Sequence, residues 1–344
     1  MTISLQSQRN HNGWTWLRQI SALMLFVLCY APWSPAGAVE TALKKASLMP
    51  LWSPQAQFAG YYVALDKGIY ARHGIDLKIL KAGPGYSPAQ TLQEGKADFA
   101  VLWLTTALQR RSAGVKLVNL AQIIQRSSMM LVAKKSSGIK TVQDMSGRKV
   151  GMWGGELSIP PRALVARYGI KVREVPQSHT INLFLRDGID VTSAMWYNEY
   201  HVMLNAGLDP DELQVFSLHE LGMQYPEDGI YTLEKTLQND PALAKAFVAA
   251  SLEGWHYAFA HPDEALDVVI KYMREAQIPA NRVHQKWMLD RMRDLIMYDA
   301  PRGLPGLLKQ QDYEGVGRAL RANGLIRSYP DYATFSGRSN AREK

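Results

Sequence analysis

The residues best suited to ligand chemistry lie in one short run, Trp196–Tyr197–Asn198–Glu199–Tyr200–His201. The spacing predicts a helix beginning at Asn198, so the Glu199 carboxylate lies in its first turn, where free N–H groups and the helix dipole favour negative charge. Glu199 can then accept hydrogen bonds from an amino or ring N–H of a ligand on which the aromatic residues stack, and Asn198 can donate and accept. Equally, Glu199 can serve only to stabilise the helix end. The sequence alone leaves both interpretations open.

Residue types argue against several other chemistries. The single cysteine, Cys29, lies in an N-terminal segment typical of an export signal, so the chain after that segment has no cysteine nucleophile and no disulfide. The histidines lack metal-ligand spacing, and no nucleophile elbow, dinucleotide fingerprint or phosphate-binding loop occurs. We therefore expect no metal, no cofactor and no catalytic residue. The Glu227–Asp228 pair is interpreted as a hinge, with Asp228 reaching a cleft.

Tryptophan recurs at the carboxyl ends of four predicted strands, at Trp52, Trp103, Trp153 and Trp196. Any single one is best explained as a core residue, but ligands of open α/β sheets bind beyond these strand ends. The indole N–H also needs a partner, which suits the partly hydrated wall of a cleft. We therefore expect indoles from two lobes, with Trp52 and Trp196 sharing one cavity, to enclose a flat molecule.

Two glycines, Gly154 and Gly155, follow the third of these tryptophans. Their backbone N–H groups are open to a ligand oxygen at a helix start. A plain turn explains the same pair, and the glycines alone do not decide between the two interpretations.

Strands and helices alternate along the chain, which predicts an α/β fold with a largely parallel sheet in each of two lobes. The predicted units are a signal peptide at 1–38, a first part of lobe 1 at 39–135, and lobe 2 at 136–227. A helical second part of lobe 1 at 228–326 and a loose tail at 327–344 complete the chain. Ser136–Ser137–Gly138 is the predicted first hinge, and the cleft lies between the lobes.

The N-terminus predicts export. Arg9 and Arg18 flank a polar stretch, an apolar run over 20–30 follows, and Ala36–Gly37–Ala38 forms a small-residue cleavage site. The apolar run is too short to span a bilayer. Cleavage after Ala38 lowers the formal net charge from +8 to +6, because it removes two arginines and no acidic residue. The remaining basic residues are scattered, which argues against a nucleic-acid partner.

The run from Trp52 to Ala64, with Gly68–Ile69–Tyr70 after it, resembles bacterial substrate-binding proteins of ABC importers, in the subgroup related to the thiamine-pyrimidine synthases. Further matches cover nearly the whole mature chain in order: Gly147–Arg148–Lys149–Val150–Gly151, Tyr197–Asn198–Glu199, Ala206–Gly207 and Glu227–Asp228–Gly229–Ile230–Tyr231. The resemblance implies the type II periplasmic-binding-protein fold, a periplasmic location and an ABC permease in the inner membrane as partner. We expect a monomer.

The resemblance also implies capture of a small heteroaromatic molecule, first a thiamine-precursor pyrimidine (hydroxymethyl- or formylaminomethyl-pyrimidine) and alternatively a flavin. Trp52, Phe58 and Tyr62 would form one aromatic wall, and Glu199 would bind the amino-pyrimidine edge. Sulfonate and taurine carriers bind anions, and these strand ends carry no Arg or Lys, which disfavours such ligands. The enzyme branch makes the pyrimidine from pyridoxal phosphate and a histidine beside a cysteine-rich motif. The missing cysteines and the export signal disfavour it here.

The predicted ligand-binding residues are Trp52, Gln57, Phe58, Tyr62, Trp103, Trp153, Gly154, Gly155, Trp196, Tyr197, Asn198, Glu199 and Asp228.

Overall fold

The structure is a computed structural model that describes residues 42–298 and 306–337, so the predicted signal peptide lies outside the described residues. The strands in this part of the chain are β1 (Lys44–Met49), β2 (Ile75–Ile79), β3 (Phe99–Leu102), β4 (Leu117–Gln122), β5 (Met129–Lys134), β6 (Lys149–Trp153), β7 (Arg173–Gln177), β8 (Val191–Met195), β9 (Leu213–Ser217) and β10 (Gly229–Leu233). The α-helices are α1 (Ala59–Asp66), α2 (Ile69–Arg72), α3 (Pro88–Gln93), α4 (Leu104–Ser112), α5 (Ile159–Arg167), α6 (Asn182–Leu185), α7 (Glu199–Asn205), α8 (Glu234–Asn239), α9 (Pro241–Ala260), α10 (Pro262–Glu275), α11 (Arg282–Ile296), α12 (Gln310–Ala322) and α13 (Tyr332–Phe335).

The strands form two five-stranded sheets, one for each lobe. The first has the order β2-β1-β3-β10-β4 and the second the order β7-β6-β8-β5-β9. In each sheet one strand, β10 or β5, runs antiparallel to both its neighbours, whereas the pairs β1–β2, β1–β3, β6–β7 and β6–β8 are parallel. The α/β class and the two-lobe architecture predicted from the sequence are confirmed.

The chain passes between the sheets twice, through residues 123–128 and through residues 218–228. The predicted lobe boundary after residue 135 is wrong, because β5 pairs with β8 and β9 in the second sheet. Ser136–Ser137–Gly138, the predicted hinge, instead forms part of a turn after β5, where Gly138 has a φ of 75°. Gly and Ser mark turns without showing which sheet the preceding strand joins, so the sequence could not place this boundary.

In the core of lobe 1, the helices α9 and α1 pack closely against each other. A Cβ on Gly60 would lie 2.3 Å from the Trp255 ring, and one on Gly254 would lie 2.2 Å from the carbonyl oxygen of Gly60. Only glycine allows the two backbones to pack at this distance. Beside this contact the rings of Phe99 and Phe247 stack with centroids 4.0 Å apart, which joins α9 to the sheet.

The predicted loose tail is wrong for residues 327–337. The helix α13 lies in this segment, and its Phe335 is fully buried against Tyr231 and Tyr313. The Tyr313 hydroxyl also donates to the carbonyl of Pro330 at 2.6 Å. The polar composition of the segment predicted a loose tail, but the single buried ring of Phe335 fixes the segment to lobe 1. In residues 42–298 and 306–337, no helix combines the length and the apolarity needed to cross a membrane.

Candidate functional site

A cavity of about 680 Å³ lies between the lobes, beyond the carboxyl ends of β1, β3, β6 and β8. Its size falls in the range of roughly 300–1,000 Å³ that is usual for small-molecule sites. Lobe 1 contributes the segments after β1 and β3 and the loop before α3, whereas lobe 2 contributes the segments after β6, β7 and β8. Nine residues predicted from the sequence line it: Trp52, Gln57, Trp103, Trp153, Gly154, Gly155, Tyr197, Asn198 and Glu199.

Glu199 supplies a buried carboxylate to this cavity. Its Oε2 accepts from the backbone N–H of Met195 at 2.9 Å, and its Oε1 accepts from Nδ2 of Asn198 at 2.8 Å. Burial raises the pKa of Glu199 to about 7, although these hydrogen bonds act in the opposite direction. Each carboxylate oxygen can accept a further hydrogen bond. The same wall holds Tyr197, whose pKa burial raises so that its hydroxyl stays protonated near neutral pH.

Asp228 does not line the cavity but lies directly behind it. Its Oδ1 accepts from the indole N–H of Trp103 at 3.0 Å, and its Oδ2 accepts from Nε2 of Gln57 at 2.8 Å. Gln57 in turn accepts at Oε1 from Gln55. Burial raises the pKa of Asp228 to about 7. The carboxylate therefore orients two residues of the cavity wall instead of contacting a ligand.

Phe58 and Tyr62 are wrong as ligand contacts. Phe58 is fully buried in lobe 1, and Tyr62 packs on Tyr272 of α10 with ring centroids 4.7 Å apart. Both belong to the face of α1 and its preceding turn that the C-terminal helices cover. Helical spacing of aromatic residues predicts an apolar face but does not show whether protein or ligand covers it.

Trp196 is also wrong as a ligand contact, so the expected pairing of Trp52 with Trp196 is not observed. The Trp196 ring lies under the guanidinium of Arg291, 4.8 Å from the ring centroid, and its carbonyl accepts from the indole of Trp287. It borders a second cavity, of about 340 Å³, together with Ser128 and Tyr200. The indoles that line the cavity are instead those of Trp52 and Trp103 of lobe 1 and Trp153 of lobe 2.

Sequence reasoning missed an ion pair across the mouth of the cavity. Arg110 of α4 donates from Nε to Oε1 of Glu156 at 2.7 Å, and its Nη2 also donates to that oxygen. Arg110 follows Trp103 by seven residues, close to two helical turns, which is the spacing that could have placed it on the same side. Because Glu156 neutralises Arg110, the arginine is not a free anion site.

Other residues missed by sequence reasoning complete the cavity, including Tyr86 in the loop before α3, Gln177 at the end of β7 and His179 two residues further on. Gln177 bonds the β8 backbone, accepting from the N–H of Ser193 at 3.0 Å and donating to its carbonyl at 2.8 Å. Among the described residues, no group of three or more His, Cys, Asp or Glu side chains could hold a metal ion.

Glu227 joins the two crossings behind the cavity. Its carboxylate accepts from the hydroxyls of Ser127 and Ser128 and from the backbone N–H groups of Ser128 and Met129, at 2.7–3.1 Å. Burial, with the charge of Asp228 as a smaller cause, raises the pKa of Glu227 to about 8. The backbone N–H groups of Ile123 and Ile124 also donate to the carbonyl of Asp228, at 3.1 Å each, and so join the same two crossings.

Two sheets of this topology with a ligand-sized cavity between them define the type II periplasmic-binding-protein fold. Among solved structures, the aliphatic sulphonate-binding protein SsuA of Escherichia coli superposes with a TM-score of 0.65 at 14% identity, covering 85% of this chain and 91% of that one. At this identity the likeness establishes the fold alone.

Sequence comparison then establishes the family. The model of the NMT1/THI5 like family matches residues 55–265, and the chain belongs to that family. The riboflavin-binding protein RibY of Chloroflexus aurantiacus is 27% identical over 75% of this chain and 78% of its own length. The formylaminopyrimidine-binding protein of Halalkalibacterium halodurans is 23% identical over 76% of this chain and 80% of its own length. A 4-amino-5-hydroxymethyl-2-methylpyrimidine phosphate synthase of Legionella pneumophila is 25% identical over 70% of this chain and 78% of its own length.

Proposed function

We propose that the protein is the solute-binding component of an ABC importer and that it captures a thiamine-precursor pyrimidine between its lobes. One observation carries the proposal: the buried carboxylate of Glu199 lines the same cavity as the indoles of Trp52, Trp103 and Trp153. The indoles would stack on the ring, each aromatic pair contributing about 0.5–1.5 kcal/mol beyond area burial. Glu199 would accept from the exocyclic amino group, which fixes the orientation of the ring.

The proposed setting follows from the fold and the family. The protein would act in the periplasm as a monomer, exported by the signal at 1–38, and deliver its ligand to an inner-membrane permease. It would not be an enzyme, although the family includes a relative named as a synthase. The chain after residue 38 has no cysteine, whereas the enzyme branch that the sequence resembles has a cysteine-rich motif.

A flavin is the second candidate ligand. The cavity of about 680 Å³ exceeds what a single ring needs, and the relative with 27% identity is named as riboflavin-binding. A flavin offers Glu199 one ring N–H between two carbonyl oxygens, so the second carboxylate oxygen would face an acceptor. An aminopyrimidine instead presents two N–H donors on its exocyclic amino group beside a single ring-nitrogen acceptor, which favours it over the flavin edge.

The test is isothermal titration of the purified protein with 4-amino-5-hydroxymethyl-2-methylpyrimidine, its formylaminomethyl analogue, riboflavin and taurine. We expect the pyrimidines to bind tightest. Glu199→Gln should weaken pyrimidine binding by about 1–3 kcal/mol, the cost of a spoiled hydrogen bond to a buried charge. Glu275→Gln, at an exposed acidic residue of α10, is the matched control and should have no effect. Tighter binding of riboflavin or taurine than of either pyrimidine would overturn the proposed ligand.

A further inference from the structure

The helix α11 contacts ligand-lining segments of both lobes. On one side, Oε1 of Gln285 accepts from the backbone N–H of Ala56 at 2.7 Å, and the sulfur of Met288 accepts from the N–H of Gln57 at 3.2 Å. These bonds hold the turn that carries Gln57 into the cavity. On another side, His284 of the same helix faces lobe 2, where it contacts Asn198.

A chain of hydrogen bonds runs from α11 to the ligand-facing carboxylate. Nε2 of His284 lies 2.9 Å from Oδ1 of Asn198, and Nδ2 of Asn198 donates to Oε1 of Glu199 at 2.8 Å. An ionised carboxylate only accepts, so Asn198 must direct its amide nitrogen to Glu199 and its oxygen to the imidazole. His284 is therefore the donor, with its proton on Nε2.

The other ring nitrogen of His284 is fixed as well. Its Nδ1 lies 2.9 Å from Nδ1 of His201, and the His201 ring stacks on Trp287 with centroids 4.7 Å apart. Because His284 carries its proton on Nε2, its Nδ1 accepts and Nδ1 of His201 donates, so the Asn205 amide beside that nitrogen, at 3.2 Å, must turn its oxygen toward it. Burial, and secondly the neighbouring His201, lowers the pKa of His284 to about 4, which keeps it neutral. The imidazole is thus held in one tautomer and one orientation.

We propose that His284 is a positioning residue of the ligand site: it donates to Asn198 and so directs the Asn198 amide, and through it Glu199, toward the bound ring. The proposal rests on the proposed function of Glu199. Without the imidazole donor, the carboxamide of Asn198 could rotate and leave Oε1 of Glu199 without its donor. The helix α11, which holds the turn with Gln57 in lobe 1, would then also set the orientation of Asn198 and Glu199 in lobe 2.

The test compares His284→Leu with His284→Gln, whose amide nitrogen can replace Nε2 as a donor, and with His256→Leu at an exposed histidine of α9 as control. Pyrimidine titration should show a loss of affinity of about five- to tenfold in His284→Leu, the usual effect of one lost hydrogen bond. His284→Gln should stay within about twofold of the unsubstituted protein. Equal losses in both variants, or none in either, would overturn the proposal.

A ligand-free measurement separates this proposal from the proposed function. In amide-detected NMR of the ligand-free protein, the chemical shifts of the Asn198 side-chain NH2 group should change in His284→Leu. They should stay near those of the unsubstituted protein in His284→Gln and His256→Leu. If the protein binds none of the heteroaromatic compounds, the proposed function fails, yet this spectrum still decides the role of His284. Unshifted Asn198 resonances in His284→Leu would refute it.

Discussion

The indole N–H of Trp103 donates to Oδ1 of Asp228 at 3.0 Å, across 125 residues of sequence. Trp103 directly follows β3, and Asp228 lies where the chain returns to lobe 1. The second oxygen of the same carboxylate accepts from Gln57. One buried acid thus fixes two cavity residues that come from different segments.

Asp228→Asn should weaken pyrimidine binding, because an amide can accept from only one of these two donors and its NH2 group would face the other. We expect a loss of about 1–3 kcal/mol in binding free energy, measured by titration. Asp211→Asn, at an exposed aspartate, is the control. Unchanged affinity with Asp228→Asn would show that the orientation of Trp103 and Gln57 does not matter for binding.

Tryptophan fluorescence should separate the cavity indoles from Trp196. Trp153→Phe should reduce the ligand-induced change in emission and weaken binding, because its ring lines the cavity. Trp196→Phe should leave the ligand-induced change intact, since its ring lies under Arg291 outside the cavity. A ligand response that disappears with Trp196→Phe and persists with Trp153→Phe would contradict the described site.

Binding should depend on pH through Glu199. Burial raises its pKa to about 7, so the carboxyl group is neutral below that pH and charged above it. Affinity for a ligand that donates an amino N–H should therefore fall as the pH drops from 8 to 6, by at most about tenfold per pH unit. Titration calorimetry across this interval measures it, and Glu199→Gln should flatten the profile. A flat profile for the unsubstituted protein would exclude this role.

The ion pair between Arg110 and Glu156 should favour the closed arrangement of the lobes. Both side chains are partly exposed, at 30% and 20%, so a coupling of about 0.2–1 kcal/mol is expected. A double-mutant cycle of Arg110→Gln and Glu156→Gln, read out as ligand affinity, measures it. The coupling should shrink at high salt. Strictly additive effects at low salt would show that the pair does not contribute to closure.

Stability should fall as the pH rises through the titration of Glu227. Its pKa is raised to about 8 in the folded protein, so between its unfolded value near 4.5 and about 8 the folded state holds more protons than the unfolded state. The free energy of unfolding therefore decreases with rising pH in that interval. Thermal unfolding from pH 5 to pH 9 should show a shallower decrease for Glu227→Gln. Identical slopes would indicate that Glu227 stays ionised when folded.

Local patterns predicted most of the fold, and nine of the thirteen residues predicted for the site line the cavity. The start of α3 shows how local such signals are, since Ser87 caps the helix by accepting from the backbone N–H of Gln90 and Pro88 is its first residue. Trp52 and Trp103, which follow β1 and β3, and Trp153, which ends β6, line the cavity because parallel strands in a sheet share a carboxyl edge.

Contacts that depend on distant segments could not be predicted. Trp196 follows β8 in the same local pattern, but Arg291 and Trp287 of α11 cover it from about ninety residues away. Tyr62 likewise meets Tyr272 of α10. The pairing of Arg110 with Glu156 joins two lobes, and neither residue type nor spacing indicates which charges meet across a cleft.

The attachment of Ser127, Ser128 and Met129 to the single carboxylate of Glu227 has a mechanical consequence. Two crossing segments bound at one point can twist or flex together, but neither can slide along the other without breaking several buried bonds. We therefore expect motion of one lobe against the other to be a rotation about this point, without shear. The two faces of the cavity would then meet in the same register at every closure, and a flat ligand would be held in the same orientation each time it binds.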